Sequence, residues 1–456
     1  MTSPPLDLGR PRRLHIVGVA GAGLAAMAEV LAAMGHRVSG SDLAASPVLD
    51  RLAGLGVGVT VGHDPDGLEG VEAVAASTAV PPTDPEVTAA RERGIPVLRR
   101  ADLLASICGR RRTAAVSGTH GKTTTSTMLG AALAGAGLRP SFIVGGRVLD
   151  AGSGGRWDTG EWLVVEADES DGTFLELPAE AVVVTSVEPD HLEHYGSFEN
   201  LVAAFDRFLA AATGPRVVCV DDPVAAQVGA RNAALTYGTG DRADYRIVDI
   251  DRSGDGIGFG LEHGGRSLGR VTVPTPGTHN ARNAAGALVA ALAIGAPFEP
   301  AARALASSGG VARRFQRRGR RDGVTFVDDY AHLPGEVAAV LSAAVDGGWG
   351  RVVCVFQPHR YSRTEALGAD FAGAFAGADL VVVTDVYGAG EAPRPGVTGA
   401  LVADAVAAAP AGPPVAYVPD RGDLVAYLVA ELRPGDLCLT LGAGDLTTLP
   451  DELLSR

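Results

Sequence analysis

The sequence predicts an α/β protein of three domains built on mostly parallel sheets. Three observations predict it. The chain has 456 residues, room for about three domains of ordinary size. Three stretches, opening at residues 14–19, 113–116 and 324–327, each begin with an apolar, β-branched run that breaks into glycine or polar residues. Such runs then alternate with alanine-rich segments of helical pattern, the alternation of parallel α/β folds.

In the first stretch, residues 14–19 lead into Ala20-Gly21-Ala22-Gly23 and a helical pattern through Met34, with further strands expected at 37–42, 73–76 and 95–98. The second carries strands at 113–116, 162–166, 181–186 and 217–220. Its irregular part, 244–273, alternates as in Gly256-Ile257-Gly258-Phe259-Gly260-Leu261 and predicts antiparallel β structure. The third carries strands at 324–327, 351–356, 380–384 and 437–441. The expected domains are 1–108, 109–314 and 315–456. No solenoid repeat or long low-complexity tract interrupts them.

Composition narrows the function classes. The chain is 46% apolar and 20% charged, the balance of a soluble globular protein. No run reaches the roughly 18 uncharged apolar residues of a membrane span. Residues 1–13 are Pro-rich without the apolar core of a signal peptide, so the cytoplasm is the expected compartment. Cys108, Cys219, Cys354 and Cys438 lie far apart beside apolar runs and read as buried free thiols in strands. A net charge of −14 argues against nucleic-acid binding. The one basic cluster, residues 313–321, reads for the most part as a solvated, charged linker. A monomer and a homodimer are both open.

Lys122 is the sole lysine of the chain, and it falls in Ser117-Gly118-Thr119-His120-Gly121-Lys122-Thr123-Thr124-Thr125, between a strand and a helix pattern. Glycines there let backbone N–H groups converge on phosphate oxygens at the positive end of a helix dipole. Lys122 suits the terminal phosphates of a nucleotide and the Thr123 hydroxyl suits Mg²⁺. The first glycine of the usual P-loop is replaced by Val116. Two later strands end in acids: Glu166-Ala167-Asp168-Glu169-Ser170-Asp171, and Glu188-Pro189-Asp190-His191. Hard oxygen ligands at strand C-termini suit a Mg²⁺–nucleotide.

Gly21-Ala22-Gly23 after a strand, with Asp42 ending the next, matches a dinucleotide fingerprint. Alone it suggests an NAD-dependent enzyme. A UDP-sugar satisfies the same physics, a diphosphate at a helix N-terminus. Two phosphate loops in one chain fit ligation of a UDP-bearing substrate better than hydride transfer.

With these motifs, Gly277-Thr278-His279-Asn280-Ala281-Arg282-Asn283, Arg313-Arg314-Phe315-Gln316, Asp328-Asp329-Tyr330-Ala331-His332, Gln357-Pro358-His359-Arg360-Tyr361-Ser362-Arg363 and Gly442-Ala443-Gly444-Asp445, the chain resembles the Mur ligase family over residues 14–446. The likeness is to the branch that adds L-alanine to UDP-N-acetylmuramate in peptidoglycan precursor synthesis. It implies a Rossmann-like N-terminal domain, a central P-loop ATPase-type domain and a C-terminal Rossmann-like α/β domain, with ATP and Mg²⁺ as cofactors. By the same resemblance Gly21, Ala22, Gly23, Asp42, Ser77 and Thr78 would bind the UDP-sugar. Gly118, Thr119, Gly121, Lys122, Thr123, Thr124, Asn280, Asn283 and Asp329 would bind ATP. Thr123, Glu166 and His191 would hold Mg²⁺. Arg314 would reach the γ-phosphate, and Tyr330, His332, Arg360 and Arg363 would form the amino-acid end. Lys122, His191, Arg314 and His332 are the expected catalytic set. The family's other branches use a carbamylated lysine for a second Mg²⁺, and this chain has none to spare. Leu333 stands where the family usually has a second histidine, which keeps glycine or serine open as the amino acid. The non-enzymatic alternative is a regulator that binds UDP-sugar or ATP without turnover.

Overall fold

A computed structural model describes residues 6–77, 79–252, 256–410 and 412–456. Each of the three stretches builds one sheet. The chain divides into two compact units. One runs to Asp249 and takes in Phe259–Thr272 and Arg282–Val311; the other takes Ile250–Gly258, Val273–Ala281 and Ala312–Arg456.

The first sheet holds β1 (Arg13–Val17), β2 (Arg37–Asp42), β3 (Gly58–Val61), β4 (Ala73–Ala76) and β5 (Val97–Arg99) in the order β3-β2-β1-β4-β5, all parallel. The order reverses between β1 and β4, and ligands of open α/β sheets bind outside such a switch point. The run 14–19 stops being a strand at Val17 because Gly18 turns the chain with φ +77°; a Cβ there would lie 3.0 Å from the Cβ of Ser77. The helix Ala22–Ala33 starts at once with Gly21 as its N-cap, and residues 24–31 are all buried.

The second sheet comprises β6 (Arg112–Ser117), β7 (Ser141–Val148), β8 (Ser153–Arg156), β9 (Trp162–Glu166), β10 (Ala181–Val184), β11 (Arg216–Cys219), β12 (Leu235–Gly238), β13 (Tyr245–Asp251), β14 (Ile257–His263) and β15 (Arg266–Val273). Its order is β15-β14-β13-β12-β11-β10-β6-β9-β7-β8. β6, β9 and β10 are parallel and fully paired, so their valine-rich runs are buried on both faces and lack alternation. The irregular stretch 244–273 forms three strands that follow one another in chain and in sheet, and β13 joins β12 in parallel.

The third sheet comprises β16 (Gln316–Arg321), β17 (Val324–Asp329), β18 (Arg351–Phe356), β19 (Leu380–Val383), β20 (Val415–Tyr417) and β21 (Asp436–Leu441) in the order β16-β17-β21-β18-β19-β20. Only β16 is antiparallel to its neighbour.

Two expectations change here. The basic run is not a solvated linker: its second half is β16, and Arg318 and Arg321 donate to the carbonyls of Thr447, Leu453 and Leu454. All four thiols are free and buried, but Cys108 ends the helix Arg100–Cys108 instead of lying in a strand. Among the described residues no helix is long and apolar enough to cross a membrane.

Candidate active site

Register brings the central motifs together. Val116 pairs with Glu166 and Ser117 with Val184, so β6, β9 and β10 end side by side. The chain leaves these three strands as the glycine loop, the acidic run and residues 185–191 respectively. The loop is strapped to its neighbours: Thr119 N–H donates to Ser186 O (3.0 Å), His120 N–H to Ser186 Oγ (3.1 Å) and Thr185 Oγ1 to His120 O (2.5 Å). Two of its glycines are required by shape. A Cβ on Gly118 (φ +132°) would sit 2.1 Å from Thr185 Oγ1, and one on Gly121 (φ +80°) 2.4 Å from Asn283 Oδ1. Gly121 caps the helix Lys122–Gly135, whose first N–H groups lie outside the helical ladder and face the loop's mouth.

Lys122 Nζ donates to Gly118 O (2.8 Å) and to Glu169 Oε1 (2.8 Å), a carboxylate only 2% exposed. Burial alone would depress the ammonium's pKa, but Glu169, Asp168 and Glu166 outweigh it and raise it. Burial lifts Glu169 above the usual carboxylate range against the pull of Lys122. Thr123 Oγ1 donates to Glu166 Oε1 (2.8 Å), and Gly145 N–H donates to Glu166 Oε2 (2.6 Å). A Cβ on Gly145 would press within 3.0–3.3 Å of that carboxylate, so the glycine shapes a cradle for it. A threonine hydroxyl bonded to a carboxylate at a strand end is an oxygen donor set suited to Mg²⁺. His191 has φ +52° and lies between Asp190 Oδ2 (3.4 Å) and Glu193 Oε1 (3.7 Å). Asn283 brackets the loop, its Oδ1 accepting from Thr125 Oγ1 (3.2 Å). Asn280, on the same helix Thr278–Ala293, donates to Pro276 O (2.7 Å).

In the first domain a Cβ on Gly21 or Gly23 would meet no clash; Gly21 caps the helix that Ala22 opens and Gly23 continues, so the loop's backbone is open to approach. Asp42 is tied into the loop, its Oδ2 accepting from Ala20 N–H (3.0 Å). Ser77 follows β4 at the switch point and its Oγ accepts from Ala79 N–H (3.3 Å). Thr78 lies outside the described residues. Arg100, not singled out by sequence, reaches from this domain to Asp168 (3.5 Å) and Asp171 (3.7 Å).

The third sheet aligns Asp329, Leu441 and Phe356 at the ends of β17, β21 and β18. Tyr330 and His332 follow the first, and residues 357–363 the last. Arg313 and Arg314 lie over the Tyr330 ring at 4.8 and 5.4 Å. The His332 ring meets those of Tyr330 (5.4 Å) and His359 (5.7 Å) edge-on. His332 Nδ1 faces Tyr330 O at 3.0 Å, so Nδ1 carries the proton and Nε2 is left as an acceptor. Arg363 donates to His359 Nδ1 (3.2 Å), which requires that nitrogen unprotonated. Burial, His332 and the arginines depress His359 to about 4; burial likewise lowers His332, against Glu336. Arg360 takes φ +67° as N-cap of Tyr361–Leu367, strain of the kind found at functional sites. Leu333 is the N-cap of Pro334–Val345, and Glu336 reaches back to its N–H (3.2 Å).

Asp329, expected from the resemblance to bind ATP, ends β17. It is 4% exposed, and its two oxygens accept from the backbone N–H groups of Phe315 (2.6 Å) and Ala331 (2.8 Å). It clamps the two loops that carry Arg314 and Tyr330. Glu169, bonded to Lys122, and His359, bonded to Arg363, were not singled out, although both lie inside motifs that sequence marks out.

Three family models match in succession: Mur ligase family, catalytic domain, over residues 13–112; Mur ligase middle domain over 116–291; and Mur ligase, glutamate ligase domain, over 313–444. The UDP-N-acetylmuramate–L-alanine ligase of Acidothermus cellulolyticus is 47% identical over 99% of this chain and 96% of its own length. That of Kineococcus radiotolerans is 47% identical over 98% and 97%. Among solved structures, the UDP-N-acetylmuramate-alanine ligase of Thermotoga maritima is 27% identical, covering 98% of this chain and 99% of its own, with a TM-score of 0.84. With three sheets in this order and full-length relatives at this identity, the chain belongs to the Mur ligase family.

Proposed function

We propose that this chain joins L-alanine to the lactyl carboxylate of UDP-N-acetylmuramate at the expense of ATP, in peptidoglycan precursor synthesis. The observation that carries the reading is the meeting of Lys122, Thr123 and Glu166 at aligned strand ends, in a chain whose full-length relatives bear that activity in their names. The lactyl carboxylate attacks the γ-phosphorus, giving an acyl phosphate and ADP. The alanine amine attacks the acyl carbon, and the tetrahedral intermediate expels phosphate.

Both steps bring anions together, so the protein's main contribution is fixed positive charge. Lys122 holds the β- and γ-phosphates, while the N–H groups at the start of its helix cradle them. Arg314 meets the γ-phosphate. Thr123 and Glu166 would hold one Mg²⁺ and His191 would help hold a second, and the ions when bound would supply charge neutralisation to the phosphates. Gly21, Gly23 and Asp42 receive the UDP moiety, and Asn280 and Asn283 border the adenine. Arg360 and Arg363 grip the amino-acid carboxylate beside Tyr330 and His332. Neutral His332, with Nε2 free to accept, is suited to take a proton from the attacking amine. Four buried free thiols suit a reaction in the reducing cytoplasm.

The test is phosphate release from Mg²⁺–ATP, with and without UDP-N-acetylmuramate, across a panel of amino acids. Release should require both the UDP-sugar and L-alanine. Preference for glycine or serine would move the substrate and point to Leu333. Tight UDP-sugar binding without release under any condition would favour a binding protein. Lys122→Ala should abolish turnover while leaving UDP-sugar affinity intact.

A further inference from the structure

Away from the nucleotide loop, four titratable side chains of the first domain meet in its interior. His15 lies within β1, His63 follows β3, Asp84 caps the helix Pro85–Glu92 and Glu86 sits in that helix's first turn. Their side chains are 3%, 7%, 5% and 1% exposed. One donor atom from each of His63, Asp84 and Glu86 lies within 4.8 Å of the others, the one such group found among the described residues. His15 borders this group without falling inside its 4.8 Å limit: its Nε2 is 3.3 Å from Glu86 Oε1, outside good hydrogen-bond geometry, and faces no other partner.

The donors are also held from behind. Ser39 Oγ bonds Nδ1 of His15 (2.9 Å), which fixes the ring with Nε2 towards Glu86. Asp84 Oδ1 accepts from the N–H groups of Glu86 (2.9 Å) and Val87 (3.2 Å), leaving Oδ2 to face His63. Glu86 accepts from Ser41 Oγ and from Asp64 N–H. Outer bonds of this kind orient metal ligands. Two carboxylates this deeply buried also call for two compensating positive charges.

We propose that this cluster binds one divalent transition-metal ion, Zn²⁺ by preference, through His15 Nε2, His63 Nδ1, Asp84 Oδ2 and Glu86 Oε1. Two imidazoles and two carboxylates form an uncharged four-coordinate site with the ion, within Zn²⁺ chemistry. Ligand bonds of about 2.1 Å in a tetrahedron set donors about 3.4 Å apart, close to the separation of His15 and Glu86. His63 and Asp84 touch directly and must part slightly to admit the ion, and His15 must close on them from beside Glu86. His63, the least buried of the four, marks the way in. The ion would clip β1, the turn after β3 and the start of the helix Pro85–Glu92 into one piece.

The test uses the full chain stripped of metal with a chelator and titrated with Zn²⁺ or Co²⁺ in excess Mg²⁺. One equivalent of Zn²⁺ should bind and raise the melting temperature, and Co²⁺ should give the intense visible bands of a four-coordinate site. Both signals should vanish in His63→Ala and in the milder His15→Gln, and persist in Glu166→Gln. The metal-free melting temperature of each variant reports its fold. No stoichiometric Zn²⁺, an equivalent that survives both histidine substitutions, or one that is lost with Glu166→Gln would overturn the site and leave two plain histidine–carboxylate pairs.

Discussion

Lys122 donates to Glu169 and to two loop carbonyls, so a phosphate competes for its ammonium with partners already in place. The position of this lysine was legible in the sequence, because it is the only one and follows a glycine. Its partner was not: Glu166, Asp168, Glu169 and Asp171 are equivalent on paper, and only the turn after β9 decides which one points inward. Asp329 shows the same limit, since nothing in its motif reveals that its oxygens accept from the backbone of two loops. Its burial has a measurable consequence. Burial raises its pKa from 3.8 to about 6, against the pull of Arg314 and the two N–H groups. Between those values the native state holds a proton that the unfolded chain has lost. This group's contribution is therefore fully favourable below about pH 4 and is lost as pH rises through 6. Asp329→Asn removes the titration. From pH 7 to pH 5 the wild type should gain roughly 1 kcal/mol relative to this variant, read from urea midpoints of the C-terminal domain. Parallel curves, or a gap that widens towards neutral pH, would contradict the raised pKa.

Among the elements, the buried parallel strands were the most legible, because β9, β10, β18 and β21 are short, mostly apolar runs bounded by turn residues. β16 was not. Gln316-Arg317-Arg318-Gly319-Arg320-Arg321 has no apolar side chain, and a local pattern cannot show what will neutralise its charge. Much of the neutralisation comes from the far end of the chain: Arg318 reaches Thr447 O (3.1 Å), 129 residues on, and Asp451, 133 residues on, besides Asp328 (3.7 Å) in the next strand. Asp328 is only 1% exposed and also accepts from Thr440 Oγ1 (2.8 Å) and Thr447 Oγ1 (2.6 Å). Arg318→Met keeps most of the stem's packing but takes one of two arginines from a buried carboxylate. A loss of about 1–3 kcal/mol is expected, with turnover at permissive temperature nearly unchanged. A variant as stable as the wild type would mean that β16 is the charged surface its sequence suggested.

At the scale of the whole molecule, the apolar cores fall into separate sets. One cluster runs without a break from Ile16 and Leu31 of the first domain to Val165, Phe205 and Val218 of the second. The helix Ala22–Ala33 packs on β7 and β8, and Ser153 Oγ bonds Glu29, which also pairs with Arg51 (2.7 Å). Gly155 fits there because a Cβ would strike the Ala26 carbonyl at 2.2 Å. The clusters on the two faces of the third sheet contain only residues 315–454. Among the described residues the first two sheets therefore share one large cluster and the third sheet has its own, a division that strand patterns alone do not reveal. Unfolding should accordingly resolve into two calorimetric transitions, the larger belonging to the first two domains. UDP-N-acetylmuramate at about 100 times its Kd adds roughly 2.7 kcal/mol to whatever binds it. That is a rise of roughly 5 °C for a unit of this size, and it should fall on the larger transition alone. Arg318→Met should lower only the other. If every condition gives a single transition, or if the sugar nucleotide moves both together, the two cores unfold as one and the division into cooperative units is wrong.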